Sequence, residues 1–345
     1  MTGNGAAGGG AVLLGIESSC DETAAAVTAG GRTALSNVIA SQIDVHKVFG
    51  GVVPEIAARH HLTAVNGVVS AALSEAGICA RDVDAIAVTK GPGLVGAVLI
   101  GLATAKAMAF ALGKPLIGVH HIRGHICAAF LEHPALEPPF LSLVVSGGHT
   151  SLVDVRDYRE MDVLGATRDD AAGEAWDKVA RVLGLGYPGG PKVDALAKEG
   201  DAAAAPFKRV LLEKDSLDFS FSGIKTGVMN YVNSMNQAGT PWNPADAAAG
   251  FQQAVIDVLA AKTALALERT GRRTLTLSGG VAANTALRAR MRAECERLGV
   301  RIFIPSPIYC TDNAAMIACA GYYDFIGGHT DGLDLDASAV LSMSE

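Results

Sequence analysis

Residues 13–27 read LLGIESSCDETAAAV, and residues 141–155 read LSLVVSGGHTSLVDV. Each stretch is an apolar strand, a turn of small residues carrying a polar group, and a second apolar strand. One hairpin used twice, near the start of each half, predicts duplicated lobes whose two turns face a shared cleft, where ligand sites tend to form. Two unrelated hairpins is the alternative that the pattern alone leaves open.

Outward from these hairpins, short apolar runs alternate with longer helical patterns. Residues 11–18, 24–29, 84–90 and 115–121 read as strands, and 54–76 and 94–112 as helices, the former opened by Pro54 in its first turn. A second series follows the hairpin at 140–155: helices near 172–184, 222–232 and 245–269, a strand 274–280, a helix 282–298, a strand 301–306 and a helix 312–326. Such alternation predicts an α/β protein with both faces of its sheets covered. The Pro-rich stretch EHPALEPPF (132–140) sits where a connection between lobes belongs. The expected organisation is a disordered tail at 1–10 (MTGNGAAGGG), a first lobe at 11–133 completed by the C-terminal 311–345, and a second lobe at 134–310.

The bulk properties narrow the function. Half of the 345 residues are apolar, enough for a sizeable core. A net charge of −7 excludes binding of nucleic acid by overall charge, so an RNA substrate would need a local basic patch or a basic partner. Six cysteines (20, 79, 127, 295, 310, 319) form no CxxC pair and read as reduced thiols in a cytoplasmic compartment, and the opening lacks the basic and apolar regions of a secretory leader. The stretch 94–113 has the length of a membrane span, but Lys106 interrupts it and strand-like runs flank it, so it reads as a buried helix and no membrane is implied.

Several stretches can carry chemistry. In HHIRGH (120–125), His121 and His125 stand four apart, so a helix would present both imidazoles on one face to a metal ion; a pair of satisfied polar side chains is the competing reading. A zinc peptidase needs Glu after the first histidine, and Ile122 stands there. Ser-Gly-Gly follows a strand in both VVSGGHTS (144–151) and LSGGVAANTAL (277–287), where free amides could cradle a phosphate, although strand ends commonly turn on glycine. KGPGLVGAVLIG (90–101) opens a helix in the first half, and none of the three is a Walker or dinucleotide motif. Between 169 and 197, Glu174, Asp177 and Lys178 precede the turn GYPGG and Asp194 follows it; they are either a solvated face or acids that hold ribose hydroxyls. In YCTDNAAMIACAG (309–321), Thr311 or Asp312 reads as the cap of the last helix, and a carboxylate there could also serve as a third metal ligand. The arginines at 288, 290, 292, 297 and 301 are mixed with Glu294 and Glu296 and read first as a solvated face, second as a contact to tRNA or a partner.

These segments, together with GGVVPEIAARHH (50–61) and FSFSGIKT (219–226), resemble in order the TsaD family of tRNA threonylcarbamoyladenosine transferases, once described as O-sialoglycoprotein endopeptidases. The resemblance runs from about residue 12 to 327. HHIRGH departs from the family only between its histidines, where other members commonly carry Met and Glu. The resemblance implies the two-lobed actin, hexokinase and chaperone-ATPase fold with a central cleft. It implies one iron or zinc ion held between the lobes by His121, His125 and Asp312, and a threonylcarbamoyl-adenylate site made by Val144, Val145, Ser146, Gly147, Gly148, Asp177, Gly190, Asp194 and Asn284. The implied reaction is transfer of the threonylcarbamoyl group to N6 of adenosine 37 in tRNAs reading ANN codons, with release of AMP. TsaB and TsaE are the implied partners, and a separate synthase supplies the adenylate. No residue is singled out as nucleophile or general base. An ATPase or sugar kinase of the same fold is the alternative function; a metalloprotease lacks its glutamate, and a noncatalytic subunit resembling TsaB would lack the complete set of motifs.

Overall fold

The computed structural model describes residues 10–213 and 215–343, so the expected N-terminal tail lies, but for Gly10, outside the described residues. The chain divides into two compact units. Unit 1 takes the described residues up to Val45, then Val52–Leu136 and those from Thr311 onward; unit 2 takes His46–Gly51 and Glu137–Cys310.

Unit 1 begins with strands β1 (Val12–Glu17), β2 (Glu22–Ala29) and β3 (Thr33–Ser41). The single turn α1 (Ile43–His46) leads toward α2 (Pro54–Glu75), β4 (Ala85–Gly91), α3 (Val95–Leu112), β5 (Leu116–His120) and α4 (His121–Cys127). Unit 2 carries β6 (Phe140–Val145), β7 (Thr150–Val155), β8 (Met161–Ala166), α5 (Ala172–Val182), α6 (Gly189–Ala197), α7 (Ser222–Ala238), α8 (Pro244–Thr270), β9 (Thr274–Ser278), α9 (Thr285–Leu298), β10 (Arg301–Phe303) and α10 (Pro307–Cys310). The last helix, α11 (Ala314–Ile326), returns to unit 1.

The two sheets share one topology. Their strand orders are β3-β2-β1-β4-β5 and β8-β7-β6-β9-β10, each with an antiparallel meander feeding two parallel strands. The hairpins at 13–27 and 141–155 are the first two strands of each copy, so the repeated pattern is a duplicated fold. Strands β3 and β8 were not expected from hydropathy. Both are edge strands with few buried side chains, so they lack the continuous apolar run of a central strand. The sequence expects a buried helix at 94–112, whereas α3 is covered on one face only: Ala97, Val98, Leu102 and Ala105 are buried while Val95 and Phe110 are exposed. It is the one helix among the described residues long and apolar enough to cross a membrane, and it packs against α2 and β4.

Leu14, Ile16, Val27, Val69, Ile86 and Leu102 form the unit 1 core beneath α2 and α3. The other face of that sheet receives α11, and Gly15 sets how closely: a Cβ there would lie 2.3 Å from the Ala314 carbonyl oxygen and 2.9 Å from the Ala318 Cβ. In unit 2, Trp176 packs edge-on against Phe251 at 5.5 Å within a core that includes Phe219 and Phe221. We expect Gly15→Ala to cost about 3 kcal/mol or more by denaturant unfolding, because backbone must move to admit the methyl group. Gly67→Ala, on the exposed face of α2 with no atom within 4 Å, should instead stabilise by roughly 0.5–1 kcal/mol. Equal midpoints for the two variants would contradict this account of the α11 contact.

Candidate functional site

The histidines of HHIRGH emerge directly from strand β5 on α4. His120 is the helix cap: its Nδ1 accepts from the Ile122 amide, which leaves Nε2–H to donate to the Leu341 carbonyl at 3.2 Å. Burial holds its pKa down to about 4, so it is neutral at physiological pH. His121 and His125 follow on one face, both buried. Arg123 points elsewhere and forms a bidentate pair with Asp324 of α11 at 2.7 and 2.9 Å, while Gly124 lets the Ile317 side chain approach closely. Two helices are thereby clamped together, at Ile317 in the first turn of α11 and at Asp324 in its last.

The start of α11 decides the role of Asp312. The expected cap, Thr311 or Asp312, is neither: α11 starts at Ala314 and Asn313 caps it, accepting from the Met316 amide at 3.0 Å. Asp312 is therefore released from capping, and its Oδ1 lies 3.1 Å from His125 Nε2 and 3.6 Å from His121 Nε2. One potential ligand atom from each of the three residues falls within 4.8 Å of the others. His125 is wholly buried and neither ring nitrogen makes a hydrogen bond, since its approach to Asp312 lacks hydrogen-bond geometry. A buried imidazole with an unused lone pair beside a carboxylate fits a divalent cation.

Glu17, at the end of β1, is fully buried behind His121. Its Oε2 accepts from Thr89 Oγ1 at 2.6 Å and lies 3.0 Å from His121 Nδ1; its Oε1 accepts from the Ser19 amide. With Nδ1 engaged by Glu17 and by Ser19 Oγ at 3.1 Å, His121 presents Nε2 to the Asp312 side. Burial alone would lower the imidazolium pKa, but the Glu17 and Asp312 carboxylates outweigh it and raise it to about 9. Burial likewise tends to raise the Glu17 carboxyl, and the His121 charge reverses this and holds it low. The residue was missed in the sequence, where it reads as the polar end of an apolar strand. Its signal is that position: an acid continuing a buried strand needs a buried partner.

The residues expected to hold the adenylate all lie in unit 2. Val144 and Val145 are buried in β6, and Ser146 closes the turn by accepting from the His149 amide. Gly147 and Gly148 are exposed, with no protein atom within 4 Å of either Cβ position, whereas Gly173 at the start of α5 must be glycine because a Cβ would strike Ser146 and Gly147. Asp177 accepts from the Gly189 amide at 2.7 Å and so braces the GYPGG turn. Gly190, beside it, is open. Asp194 is buried against Thr285 Oγ1 at 3.0 Å, next to Asn284, whose Oδ1 caps α9 and whose amide donates to Gln252 at 2.7 Å. The structure thus brings Asp194, Asn284 and Thr285 together at the start of α9 and sets Ser146–Gly148 against the start of α5. A recess of about 280 Å³ opens beside Asp194, lined also by Lys198, Gln252 and Gln253; the glutamines were not singled out in the sequence. Three arginines of α9 are spent on the unit itself, Arg288 on the carbonyls of Ala282 and Pro305, Arg290 on Asp257 and Arg297 on Glu294, while Arg292 is exposed.

Comparison with known proteins now decides the family. The family model of tRNA N6-adenosine threonylcarbamoyltransferase matches residues 33–319. A protein of that name from Clostridium beijerinckii is 57% identical over 334 residues, covering 97% of this chain and 98% of the relative. Another, from Clostridium botulinum, is 55% identical over 333 residues, covering 96% and 98%. The chain belongs to the tRNA N6-adenosine threonylcarbamoyltransferase family. Solved structures at lower identity share the fold. T. kodakarensis HypF matches with a TM-score of 0.61 at 14% identity over 94% of this chain and 49% of that one. Component A of the Acidaminococcus fermentans (R)-2-hydroxyglutaryl-CoA dehydratase matches with 0.51 at 17% over 91% and 98%. The fold is of the actin, hexokinase and chaperone-ATPase class, in keeping with two sheets of one topology.

For this member of the threonylcarbamoyltransferase family, Glu17→Gln tests the buried triad's support. The amide can no longer hold Nδ1 as a charged acceptor, so affinity for a divalent ion such as Zn(II), measured by chelator competition on the folded variant, should fall about 10–100-fold. Unaltered affinity would remove Glu17 from any role at His121.

Proposed function

We propose that this chain transfers the threonylcarbamoyl group from threonylcarbamoyl-adenylate to N6 of adenosine 37 in tRNAs reading ANN codons, releasing AMP. The observation that carries the reading, beyond family membership, is the group of two buried histidines, His121 and His125, with the half-buried Asp312, which a kinase or ATPase acting on another substrate does not need. We assign one iron(II) or zinc ion to these three side chains. When bound, such an ion supplies Lewis acidity toward an anionic oxygen.

The rest of the chemistry falls to the chain's own residues. A carbamoyl-phosphate anhydride is already activated, so the protein's tasks are to hold the nucleotide, orient the weakly nucleophilic adenine amine and stabilise charge on the leaving AMP. The bond from N6 to the carbamoyl carbon forms, the bond from that carbon to the phosphate oxygen breaks, and N6 loses one proton. Gly147 and Gly148, with their space unfilled by protein, let backbone amides approach a phosphate. Asp194 accepts from ribose hydroxyls, Asn284 and Thr285 fix the neighbouring helix start, and Asp177 with Gly190 shapes the turn beside it. Peptide hydrolysis is disfavoured because Ile122, where a zinc peptidase carries its general base, is buried and apolar.

The net charge of −7 fits a catalytic subunit whose RNA surface is completed by others, and we assign TsaB and TsaE as those partners, with a separate synthase upstream and the cytoplasm as the compartment. The test is direct: incubate the chain and these partners with tRNA, threonine, bicarbonate, ATP and the synthase, then digest the tRNA and weigh its nucleosides. Threonylcarbamoyladenosine is expected, with the rate reduced roughly 10²-fold or more by Asp312→Ala. Phosphoryl transfer from ATP to a small acceptor, with no modified nucleoside, would favour the kinase reading instead.

A further inference from the structure

The segment His46–Gly51 belongs to unit 2, and its tip is unusual for a surface turn. His46 is buried, whereas Val48 and Phe49 on the following 3-10 turn are 74% and 57% exposed. The turn is held in place: the Gly50 amide bonds to the Lys47 carbonyl, the Gly51 amide to the His46 carbonyl, and the Arg181 guanidinium of α5 donates to the Gly50 carbonyl. Gly50 at φ 71° is left-handed, which suits glycine and ends the turn abruptly. An exposed phenyl ring therefore shares one turn with Lys47, and the carbonyl of the next residue, Gly50, is held by Arg181.

We infer that Phe49 is a stacking platform for a nucleobase of the tRNA anticodon loop, with Lys47 and Arg181 attracting the adjoining phosphates. The inference rests on the tRNA reading above. One ring and one valine are too small for a stable protein interface, which needs about 800 Å² on each side, but they match one unstacked base. These cations supply local positive charge on a chain whose net charge is −7. Position within unit 2 agrees. Helix α5 starts against the Ser146–Gly147 turn and reaches Arg181 eight residues after Gly173, about 12 Å along its axis. A ring at the far end of that helix meets a base flanking the reacting adenosine, not the adenosine itself.

The experiment uses the full chain with its partner proteins and an unmodified tRNA. Phe49→Ala should weaken tRNA binding roughly tenfold to a hundredfold, raise the KM for tRNA, and leave the KM for the adenylate and the melting temperature unchanged. The slope of log affinity against log salt should not change, because no charge is removed. Phe49→Trp should restore binding, and its indole fluorescence should be quenched on adding tRNA, against a wild-type background from Trp176 and Trp242. Wild-type tRNA affinity in Phe49→Ala, absence of quenching in Phe49→Trp, or loss of partner binding in place of RNA binding would each overturn the inference. Failure of the parent reading looks different, since the wild-type assembly would then make no threonylcarbamoyladenosine.

Discussion

The ion pair between buried Glu17 and buried His121 is the interaction on which the site in unit 1 depends. An unpaired carboxylate at the end of β1 would be intolerable, and an unpaired imidazolium on α4 equally so. Together they fix which ring nitrogen faces Asp312. Yet the pair does not balance the site. Asp21, Glu22 and Asp312 add acidic groups on the same side, and Glu22, desolvated and close to Asp21 and Asp312, is pushed up to about 9. Protons on Glu22 and His121 would offset this negative charge, and a cation at His121, His125 and Asp312, displacing the proton from His121 Nε2, would offset it instead.

Duplication explains how two different chemistries arise from one topology. In both sheets a short turn joins the first two strands of the meander, SSCD in one and SGGH in the other. The first turn donates and accepts through side chains, Ser19 and Glu17 reaching His121. The second offers backbone, because Gly147 and Gly148 have nothing where a side chain would be. Side chains can hold a metal ligand in one orientation, whereas bare amides suit a phosphate oxygen. The same scaffold position has diverged by filling or emptying the turn.

Much of this was legible in the chain. The paired hairpins predicted the duplicated sheets because apolar alternation reports central strands directly, while β3 and β8 escaped notice as half-exposed edges. The spacing of His121 and His125 placed them on one helical face without further help. Asp312 read first as a cap and second as a third metal ligand, and its release from capping depends on Asn313 taking that task one residue later, a choice no spacing rule makes. Glu17 and Gln252 were hidden for another reason: each acts through a partner distant in sequence, His121 and Asn284 respectively, and such pairings exist only once the sheet and helices are assembled.

The cysteines bear on mechanism by what burial does to them. An acyl transfer could proceed through a thioester, and Cys20 lies in the very turn that supports His121. Burial and the adjacent carboxylates of Asp21 and Asp312 push its thiol well above the ordinary range, and burial does the same to Cys319. A nucleophilic cysteine needs the opposite surroundings, cationic and partly open. Negative charge around Cys20 disfavours the thiolate for the same electrostatic reason that it favours a cation at the neighbouring imidazoles. Direct attack by the adenine amine on an already activated carbamoyl group requires no such thiolate, so the acidic character of this turn is consistent with a single displacement and at odds with a covalent relay.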